Sequence, residues 1–455
     1  MNKIPVNQLP PPANTLAFPN KKRRKLKIFF WSVAGIFLAT TIWIGVTGIV
    51  ALRNISAKNA GDSSLFFRFN GQIPADKLAN EVDGNINIAL LGADIAAGLT
   101  DSIQVVSIDP VNKAMSMISV PRDLYVANAD GTKSRINEVY NRAVATCANS
   151  KTCDAEIDAG GEAMKKVLTS ALGVDVNYFA RADFEGLKQI VDTLGGIDIY
   201  VEQTLSDPQF PNSNYSGYDP FYLPAGQTHM NGSIALKYAR CRHGSCGSDF
   251  GRALRQQKVV VAIRNKALGL GVLANPKKIT DLISAIGDNF RTDMKTSEMI
   301  NVVKLIKEIP DTKVTNTVID NGTTGPLAVL QGAMAYLLAP KLGENDWSGV
   351  HEFVANVLPK PYISRENIQI VIDDRSGKAL GTALAAKLKI YGYNVKILTG
   401  SVGTVPQTTI EHNGGDFPYT IALLKKRLNL PATKNGSLGE GTQIKITLGI
   451  DFTLK

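Results

Sequence analysis

Residues 28–52 form a stretch of 25 residues that contains no charged side chain. About 20 apolar residues in a helix suffice to cross the hydrocarbon core of a bilayer, so this stretch predicts a single transmembrane helix. The basic segment at 21–27 is expected to stay in the cytoplasm by the positive-inside rule, which places the rest of the chain outside. A cleaved signal peptide is the alternative, but the stretch is long and no small-residue cleavage site follows it. The sequence therefore predicts a single-pass cell-membrane protein with an extracytoplasmic body.

The net charge of +10 is concentrated near the start of the chain. The first 60 residues hold nine basic side chains and no acidic one, so subtracting nine from +10 leaves +1 for residues 61–455. A body with so little excess charge has no general attraction for polyanions. We therefore expect no nucleic acid among its partners.

Four cysteines, Cys147, Cys153, Cys241 and Cys246, fit an oxidising compartment outside the membrane. Three pairings are possible, and the simplest joins each cysteine to its neighbour in sequence. Zinc binding is the alternative, but the spacings are loose for a zinc site and no histidine lies at ligand spacing. We expect disulfides.

Between residues 83 and 345, segments rich in β-branched residues are mixed with segments of helical spacing. The predicted strands are 86–91, 103–108, 114–120 and 197–201, and the predicted helices are 163–172 and 184–194. A turn-forming sequence at 109–113 predicts an antiparallel hairpin. This order predicts a layered α/β (α+β) core with a mixed sheet, covered by one or two amphipathic helices at 279–306.

A second, smaller α/β module is predicted near the end of the chain, with strands at 367–372, 394–398 and 443–448 and helices at 379–391 and 419–428. It contains no obvious catalytic cluster, so its expected role is binding or packing. The predicted division is a disordered tail (1–27), a transmembrane helix (28–52), a stalk (53–82), a catalytic core (83–345), a linker (346–365) and the terminal module (366–455).

The densest polar cluster lies between residues 235 and 258. Arg240 and Arg242 are two apart, which on a strand would direct both guanidinium groups to one face. Asp249, Arg252 and Gln256 are spaced by three and then four, so on a helix they share one stripe. The sequence thus predicts that one strand end and one helix face bring several arginines into a small volume.

Arginines that lie so close repel one another unless an anion sits between them, and Arg255 lies at the edge of the same helix face. A pyrophosphate, with several oxygens, suits the bidentate guanidinium fork. The alternative is a solvated basic face with salt bridges to Asp249. The cluster by itself does not decide between them.

The same stretch resembles the signature of the LytR-CpsA-Psr family, which reads L-x-Y-x-R-x-R followed by D-F-x-R-x-x-R-Q-Q. The matching residues are Leu236, Tyr238, Arg240, Arg242, Asp249, Phe250, Arg252, Arg255, Gln256 and Gln257. Two further blocks resemble the family in the right order: 87–94 with 100–102, and 119–123. The terminal module resembles the LytR C-terminal domain.

The resemblance implies a set of site residues. The substrate pyrophosphate would be bound by Arg122, Arg135, Arg240, Arg242, Arg252, Arg255 and Gln256. Asp94 and Asp101 would hold Mg²⁺, which bridges carboxylate and phosphate oxygens. Loop capping is the alternative for these two acids, because the loop at 95–100 is shorter than in the family and uncharged.

The implied catalytic residues are Arg240, Arg242 and Asp249. Asp249 either takes the proton from an attacking sugar hydroxyl or merely orients an arginine, and the sequence does not choose. The predicted lipid-tail slot, lined by apolar strands and nearby helices, has an ordinary core as its alternative.

The resemblance implies an Mg-dependent phosphotransferase that moves a polyprenyl-pyrophosphate-linked glycopolymer, such as teichoic acid or capsule, onto a peptidoglycan sugar hydroxyl, with pyrophosphatase activity as a side reaction. A membrane-anchored binder or scaffold for lipid-linked cell-wall precursors is the alternative function. A transcription regulator is disfavoured, because the predicted cytoplasmic segment of about 27 residues holds no helix-turn-helix.

Overall fold

The structure of this protein is a computed structural model, and it describes residues 68–94, 98–150, 158–212, 216–271, 284, 286–333, 335–400, 402–435, 438 and 442–454. The predicted cytoplasmic tail, the predicted transmembrane helix and most of the predicted stalk lie outside these residues. Within the described part of the chain, no helix combines the length and the apolar character that a membrane span requires.

A mixed six-stranded sheet forms the centre of the larger domain, with the strand order β11-β6-β1-β2-β3-β12. Its strands are β1 (Ile86–Asp94), β2 (Leu99–Asp109), β3 (Ala114–Ser119), β6 (Tyr178–Asp183), β11 (Phe290–Thr292) and β12 (Val314–Val318). β1, β2 and β3 pair antiparallel, whereas β6 joins β1 and β12 joins β3 in parallel. The predicted mixed sheet and the hairpin at 109–113 are therefore confirmed.

Short two-stranded sheets lie outside the central sheet. They pair β4 (Tyr125–Ala127) with β5 (Lys133–Arg135), β7 (Ile197–Val201) with β10 (Gly226–Met230), β8 (Leu205–Asp207) with β9 (Phe221–Leu223), and β13 (Leu327–Val329) with β14 (Leu338–Pro340). The segment 210–227, which is rich in Pro, Tyr, Asn and Gly, contains β9 and the start of β10. Its apolar side chains Phe210, Phe221 and Leu223 are buried in one cluster.

Helices cover both faces of the sheet. In chain order they are α1 (Ile136–Ala148), α2 (Ala159–Leu172), α3 (Phe184–Thr193), α4 (Gly232–Arg240), α5 (Asp249–Gly269), α6 (Thr296–Glu308) and α7 (Ser348–Val357). α1, α2 and α7 pack on one face around Ala89 and Val105. α6 packs on the other face around Ile88 and Val106, because residues one apart on a strand face opposite sides.

Two of the predicted helix ends are confirmed by their capping groups. The side chain of Asp183 accepts a hydrogen bond from the backbone N–H of Gly186, as an N-cap does at the start of α3. α2 ends at Gly173, whose φ of 70° is the left-handed conformation that glycine adopts without steric cost.

Two predictions of local structure are wrong. Residues up to Arg240 form helix α4 rather than a strand, because Asn231 caps the helix and the apolar side chains of Ala235, Tyr238 and Ala239 follow helical spacing into the core. The stretch predicted as covering helices at 279–306 is interrupted by strand β11, and within its described residues, positions 284 and 286 before that strand and α6 after it are helical.

The terminal module contains a five-stranded sheet of order β16-β15-β19-β17-β18. Its strands are β15 (Gln369–Asp374), β16 (Asn394–Ile397), β17 (Thr409–His412), β18 (Ala432–Lys434) and β19 (Ile444–Leu448), and its helices are α8 (Pro361–Glu366), α9 (Gly381–Ile390) and α10 (Pro418–Leu428). The predicted elements are present, and β17 and β18 were not predicted.

The segment predicted as a linker at 346–365 contains α7 and most of α8, and both helices are packed. Val350 and Val354 of α7 belong to the core of the larger domain, whereas Tyr362 of α8 belongs to the core of the terminal module. Ile73 and Leu78, in the predicted stalk, also pack into the terminal module.

A buried ion pair joins the predicted stalk to the terminal module. Glu81, whose side chain is 2% exposed, accepts two hydrogen bonds from the guanidinium group of Arg427 and one from the hydroxyl of Tyr393 at 2.9 Å. Burial and the charge of Glu81 raise the pKa of Tyr393 well above its ordinary value.

Candidate active site

A cleft of about 650 Å³ lies between the central sheet and the helices α3, α4 and α5. Apolar side chains line most of it: Leu90, Leu187, Ile190, Leu236, Val259, Val260, Ile263 and Phe290. Polar side chains are grouped in the same cleft: Asp94, Asp101, Arg240, Arg242, His243, Arg252 and Gln256. The cleft thus combines an apolar interior with a charged end.

The N-terminal half of α5 supplies one side of the charged end. Asp249, Arg252 and Gln256 follow the predicted helical stripe, and Arg252 Nη2 lies 3.4 Å from Asp249 Oδ2. Gln256 Oε1 accepts a hydrogen bond from Ser102 Oγ at 2.9 Å, which ties the helix to β2. The predicted stripe is therefore present.

Arg240 is the last residue of α4, and its side chain lies over an aromatic ring. The guanidinium carbon is 4.1 Å from the centroid of Phe184, and Nη2 is 3.9 Å from Oδ2 of Asp94. A cation stacked on a ring in this way keeps its planar face fixed while its edge can donate hydrogen bonds.

Arg242 lies in the loop after α4, and a buried carboxylate holds that loop. Asp207, whose side chain is 1% exposed, accepts hydrogen bonds from the backbone N–H groups of Arg242 at 3.0 Å and His243 at 3.1 Å. Its Oδ1 also lies 3.2 Å from His243 Nδ1. Burial alone would raise the pKa of Asp207, but these hydrogen bonds bring it below its ordinary value.

The same loop is closed by the disulfide Cys241–Cys246, which confirms one of the predicted pairings. Cys147 is also disulfide-bonded, whereas Cys153 lies outside the described residues. Among the described residues, one group of acids and cysteines is close enough to bind a metal ion, Asp207 with Cys241 and Cys246. Because both cysteines are oxidised, they offer no thiolate, and the zinc alternative is not supported there.

The structure gives Arg255 a different place from the predicted phosphate contact. Its guanidinium group donates to the backbone carbonyls of Tyr238 at 3.0 Å, Cys246 at 2.7 Å and Cys241. It does not line the cleft, although it lies at the edge of the same face of α5, because its guanidinium group is directed to these carbonyls. Arg255 therefore braces the loop that carries Arg242.

Arg122, in the loop after β3, connects two acids of the site. Its Nη1 donates to Asp101 Oδ1 at 3.0 Å, and its Nε lies 3.2 Å from Asp249 Oδ2. Burial alone would lower the pKa of Arg122, but the charges of Asp249 and Asp101 raise it above its ordinary value. Burial, together with the charges of Arg122 and Arg242, lowers the pKa of Arg252 despite the nearby acids.

Asp94 and Asp101 lie at the same end of the β1–β2 pair, where the register shifts between Gly92 and Ala93. Both line the cleft. Two carboxylates beside a cluster of arginines fit Mg²⁺, which proteins usually bind through one or two carboxylates together with substrate phosphate oxygens. The donor set therefore fits the predicted ion when a phosphate is present.

A second cavity of about 400 Å³ adjoins the cleft and is lined by Arg122, Asp123, Arg135, Asp249 and Tyr336. The predicted pyrophosphate ligands thus divide into four groups. Arg240 and Arg242 line the cleft alone, Arg252 and Gln256 line both spaces, and Arg122 and Arg135 line the second cavity alone, while Arg255 lines neither. Arg135 Nε is 3.4 Å from Asp123 Oδ1.

The sequence did not predict Phe184, Asp207 and Tyr336 as site residues. Phe184 follows the N-cap Asp183 and so had a signal for its place on a helix, but not for its contact with Arg240. Asp207 ends the three-residue strand β8, which is too short to show a periodicity, and Tyr336 lies in an irregular region.

The fold and the site define a mixed α/β protein with arginines grouped at the charged end of an apolar cleft. The chain belongs to the LytR_cpsA_psr family, whose family model matches residues 51–343.

The similarity to curated relatives covers more than half of the chain. It is 23% identical to the cell wall biosynthesis protein LcpA of Corynebacterium glutamicum, covering 92% of this chain and 86% of that protein. It is 27% identical to the polyisoprenyl-teichoic acid–peptidoglycan teichoic acid transferase TagU of Bacillus mycoides, covering 62% of this chain and 84% of that protein. The crystal structure of B. subtilis TagV is similar, with a TM-score of 0.44, 24% identity, and coverage of 60% of this chain and 97% of that one.

Proposed function

We propose that this chain is an extracytoplasmic, membrane-anchored phosphotransferase that moves a glycopolymer from a polyprenyl-pyrophosphate carrier onto a peptidoglycan sugar hydroxyl. One observation carries the proposal: Arg240, Arg242 and Arg252, from a helix end, a loop and a second helix, line the charged end of an otherwise apolar cleft. The names of relatives such as LcpA and TagU point to the same process.

The cleft has an apolar part and a charged end, and such a donor has an apolar prenyl chain and a charged pyrophosphate. A prenyl chain has no polar groups, and burial of apolar surface stabilises it by about 25 cal/mol per Å². The pyrophosphate would accept hydrogen bonds from the arginines, which form bidentate pairs with phosphate oxygens. Gln256 adds an uncharged amide at the same place.

Asp94 and Asp101 would hold Mg²⁺, and the ion when bound would neutralise charge on the phosphate oxygens. Without a cation, these carboxylates would repel the pyrophosphate. Arg122 offsets part of that repulsion, because it already contacts Asp101 at 3.0 Å.

The reaction is an in-line displacement at the phosphorus that bears the glycan. The acceptor oxygen forms a new bond to this phosphorus, and the bond to the oxygen of polyprenyl phosphate breaks. Asp249 takes the proton of the attacking hydroxyl and returns it to solvent, while polyprenyl phosphate leaves with the electron pair. The arginines stabilise the charge that shifts onto the leaving phosphate.

The direct test is transfer from a prenyl-pyrophosphate-linked saccharide to peptidoglycan by the full chain, with and without Mg²⁺. The variant Arg240→Ala should lose activity by about 10²–10³-fold, because one preorganised donor to the phosphate is removed. Arg142→Ala is the matched control, since Arg142 lies exposed on α1. Transfer by Arg240→Ala at the wild-type rate would overturn the proposal. Donor binding without an Mg-dependent product would favour the binder or scaffold alternative.

A further inference from the structure

The cleft and the second cavity meet at three side chains. Asp101, Arg252 and Gln256 line both spaces, whereas their other lining residues differ. The second cavity lies at the ends of β3 and β12, which run parallel and so end at the same edge of the sheet, beside the N-terminus of α5. A phosphate bound at the shared side chains would therefore be reachable from both spaces.

We propose that the second cavity is the acceptor site, and that it binds a neutral sugar ring whose hydroxyl attacks the donor phosphorus. This inference rests on the proposed function and deepens it, because it assigns to a separate cavity the substrate that receives the glycopolymer.

The geometry of an in-line displacement determines from which side the acceptor approaches. In an in-line reaction the attacking oxygen approaches from the side opposite the leaving oxygen. If the prenyl chain occupies the apolar cleft, polyprenyl phosphate leaves on the cleft side. The acceptor must then approach from the other side of Arg252 and Gln256, where the second cavity lies.

The position of the proposed base supports the same assignment. Asp249 lines the second cavity and does not line the cleft. Its Oδ2 is held 3.2 Å from Arg122 Nε and 3.4 Å from Arg252 Nη2. A general base must lie within hydrogen-bond reach of the hydroxyl that it deprotonates, so the hydroxyl belongs in the second cavity.

The chemistry of the side chains that line the second cavity suits a neutral sugar. Its charged residues are three arginines and three aspartates: Arg122, Arg135, Arg252, Asp101, Asp123 and Asp249. Their formal charges cancel, so the cavity has no excess attraction for a phosphate. It offers both hydrogen-bond donors and acceptors, as the hydroxyl groups of a sugar require. Its volume of about 400 Å³ falls in the ordinary range of small-ligand sites.

An aromatic ring stands at the opening of this cavity. Tyr336 is 52% exposed although it lines the cavity, and its hydroxyl accepts a weak hydrogen bond from Asn321 at 3.4 Å. Burial raises the pKa of Tyr336, and the charges of Asp123 and Asp249 raise it further, which agrees with their position in the same space. An exposed ring beside carboxylates can pack against the apolar face of a sugar while the acids bind its hydroxyl groups.

The test measures the KM for each substrate separately. The full chain is assayed with a prenyl-pyrophosphate-linked saccharide as donor and soluble, uncrosslinked peptidoglycan strands as acceptor. Tyr336→Ala and Arg135→Gln should each raise the KM for the acceptor about tenfold, with the KM for the donor changed by roughly twofold or less. Tyr336→Phe should have an acceptor KM close to that of the wild type, because it keeps the aromatic ring. Tyr222→Ala is the control, since Tyr222 is an exposed tyrosine that lines neither cavity.

A rise in the donor KM instead of the acceptor KM would overturn the inference, because the cavity would then hold the donor glycan. Unchanged values for both substrates would also overturn it. Failure of the proposed phosphotransferase function would give a different result from failure of the acceptor-site inference. If the function were wrong, the wild-type chain would release no prenyl phosphate from the donor, whether the acceptor is peptidoglycan or water.

Discussion

Nε of Arg122 lies 3.2 Å from Oδ2 of Asp249, although 127 residues separate them in the chain (249 − 122). The contact joins the loop after β3 to the first turn of α5. It places Asp249 between two guanidinium groups, because Arg252 approaches the same oxygen at 3.4 Å. The carboxylate therefore has a fixed position at the junction of the cleft and the second cavity.

Replacement of Asp249 by Asn should lower kcat about 10²–10⁴-fold, because the amide cannot take the proton from the acceptor hydroxyl. Donor binding should persist, since the arginines of the cleft remain. Steady-state kinetics together with a donor-binding assay would separate the two effects. Asp288→Asn is the control, as Asp288 is an exposed acid outside both cavities. A variant that kept half of the wild-type kcat would exclude Asp249 as the base.

Arg255 is expected to stabilise the fold rather than to bind substrate. Arg255→Met should lower the free energy of unfolding by about 3–5 kcal/mol, because three buried carbonyls lose their donor. The exposed Arg242 provides the contrast: Arg242→Met should change that free energy by only about 0.5 kcal/mol while abolishing most transfer. Chemical denaturation of both variants checks this. Equal stability of Arg255→Met and the wild type would show that the three hydrogen bonds contribute little.

Asp207, which binds the loop that carries Arg242, is expected to make the stability of the protein depend on pH. Since its pKa is lowered in the folded protein, its contribution is present above the ordinary value of 3.8 and is lost as the pH falls through the lowered value. Asp207→Asn should therefore be less stable than the wild type near about pH 6, and the difference should shrink below about pH 4. Thermal unfolding across this range measures the difference. A gap of the same size at both ends of the range would refute the linkage.

The ion pair between Glu81 and Arg427 is expected to hold the terminal module in place. Glu81→Ala should lower the free energy of unfolding by about 3–5 kcal/mol, because it leaves Arg427 and the Tyr393 hydroxyl without their buried partner. Glu202→Ala is the control, since Glu202 is a largely exposed acid whose solvent-screened pair with Lys258 should contribute little to the free energy of unfolding. The same loss for both variants would mean that burial adds nothing to the Glu81 pair.

Local signals in the sequence predicted much of the fold. The hairpin at 109–113 and the cap at Asp183 depend on residues a few positions apart, so both were predictable. The Asp249, Arg252 and Gln256 stripe follows in the same way from helical spacing.

The roles of the arginines were not predictable, because they depend on how helices sit against distant elements. Arg252 and Arg255 are three apart on α5, yet one lines both cavities and the other binds loop carbonyls. The helix around Arg240 is short and its composition does not separate helix from strand. The second cavity is built from the loop after β3, the end of β5, the start of α5 and the loop before β14, which no single stretch of sequence contains.

The most direct measurement is the structure of the full chain bound to a polyprenyl-pyrophosphate-linked saccharide. The account predicts phosphate oxygens within hydrogen-bond distance of Arg240, Arg242 and Arg252, with the prenyl chain between α3 and α5. Phosphates bound elsewhere, or a prenyl chain outside the cleft, would contradict it.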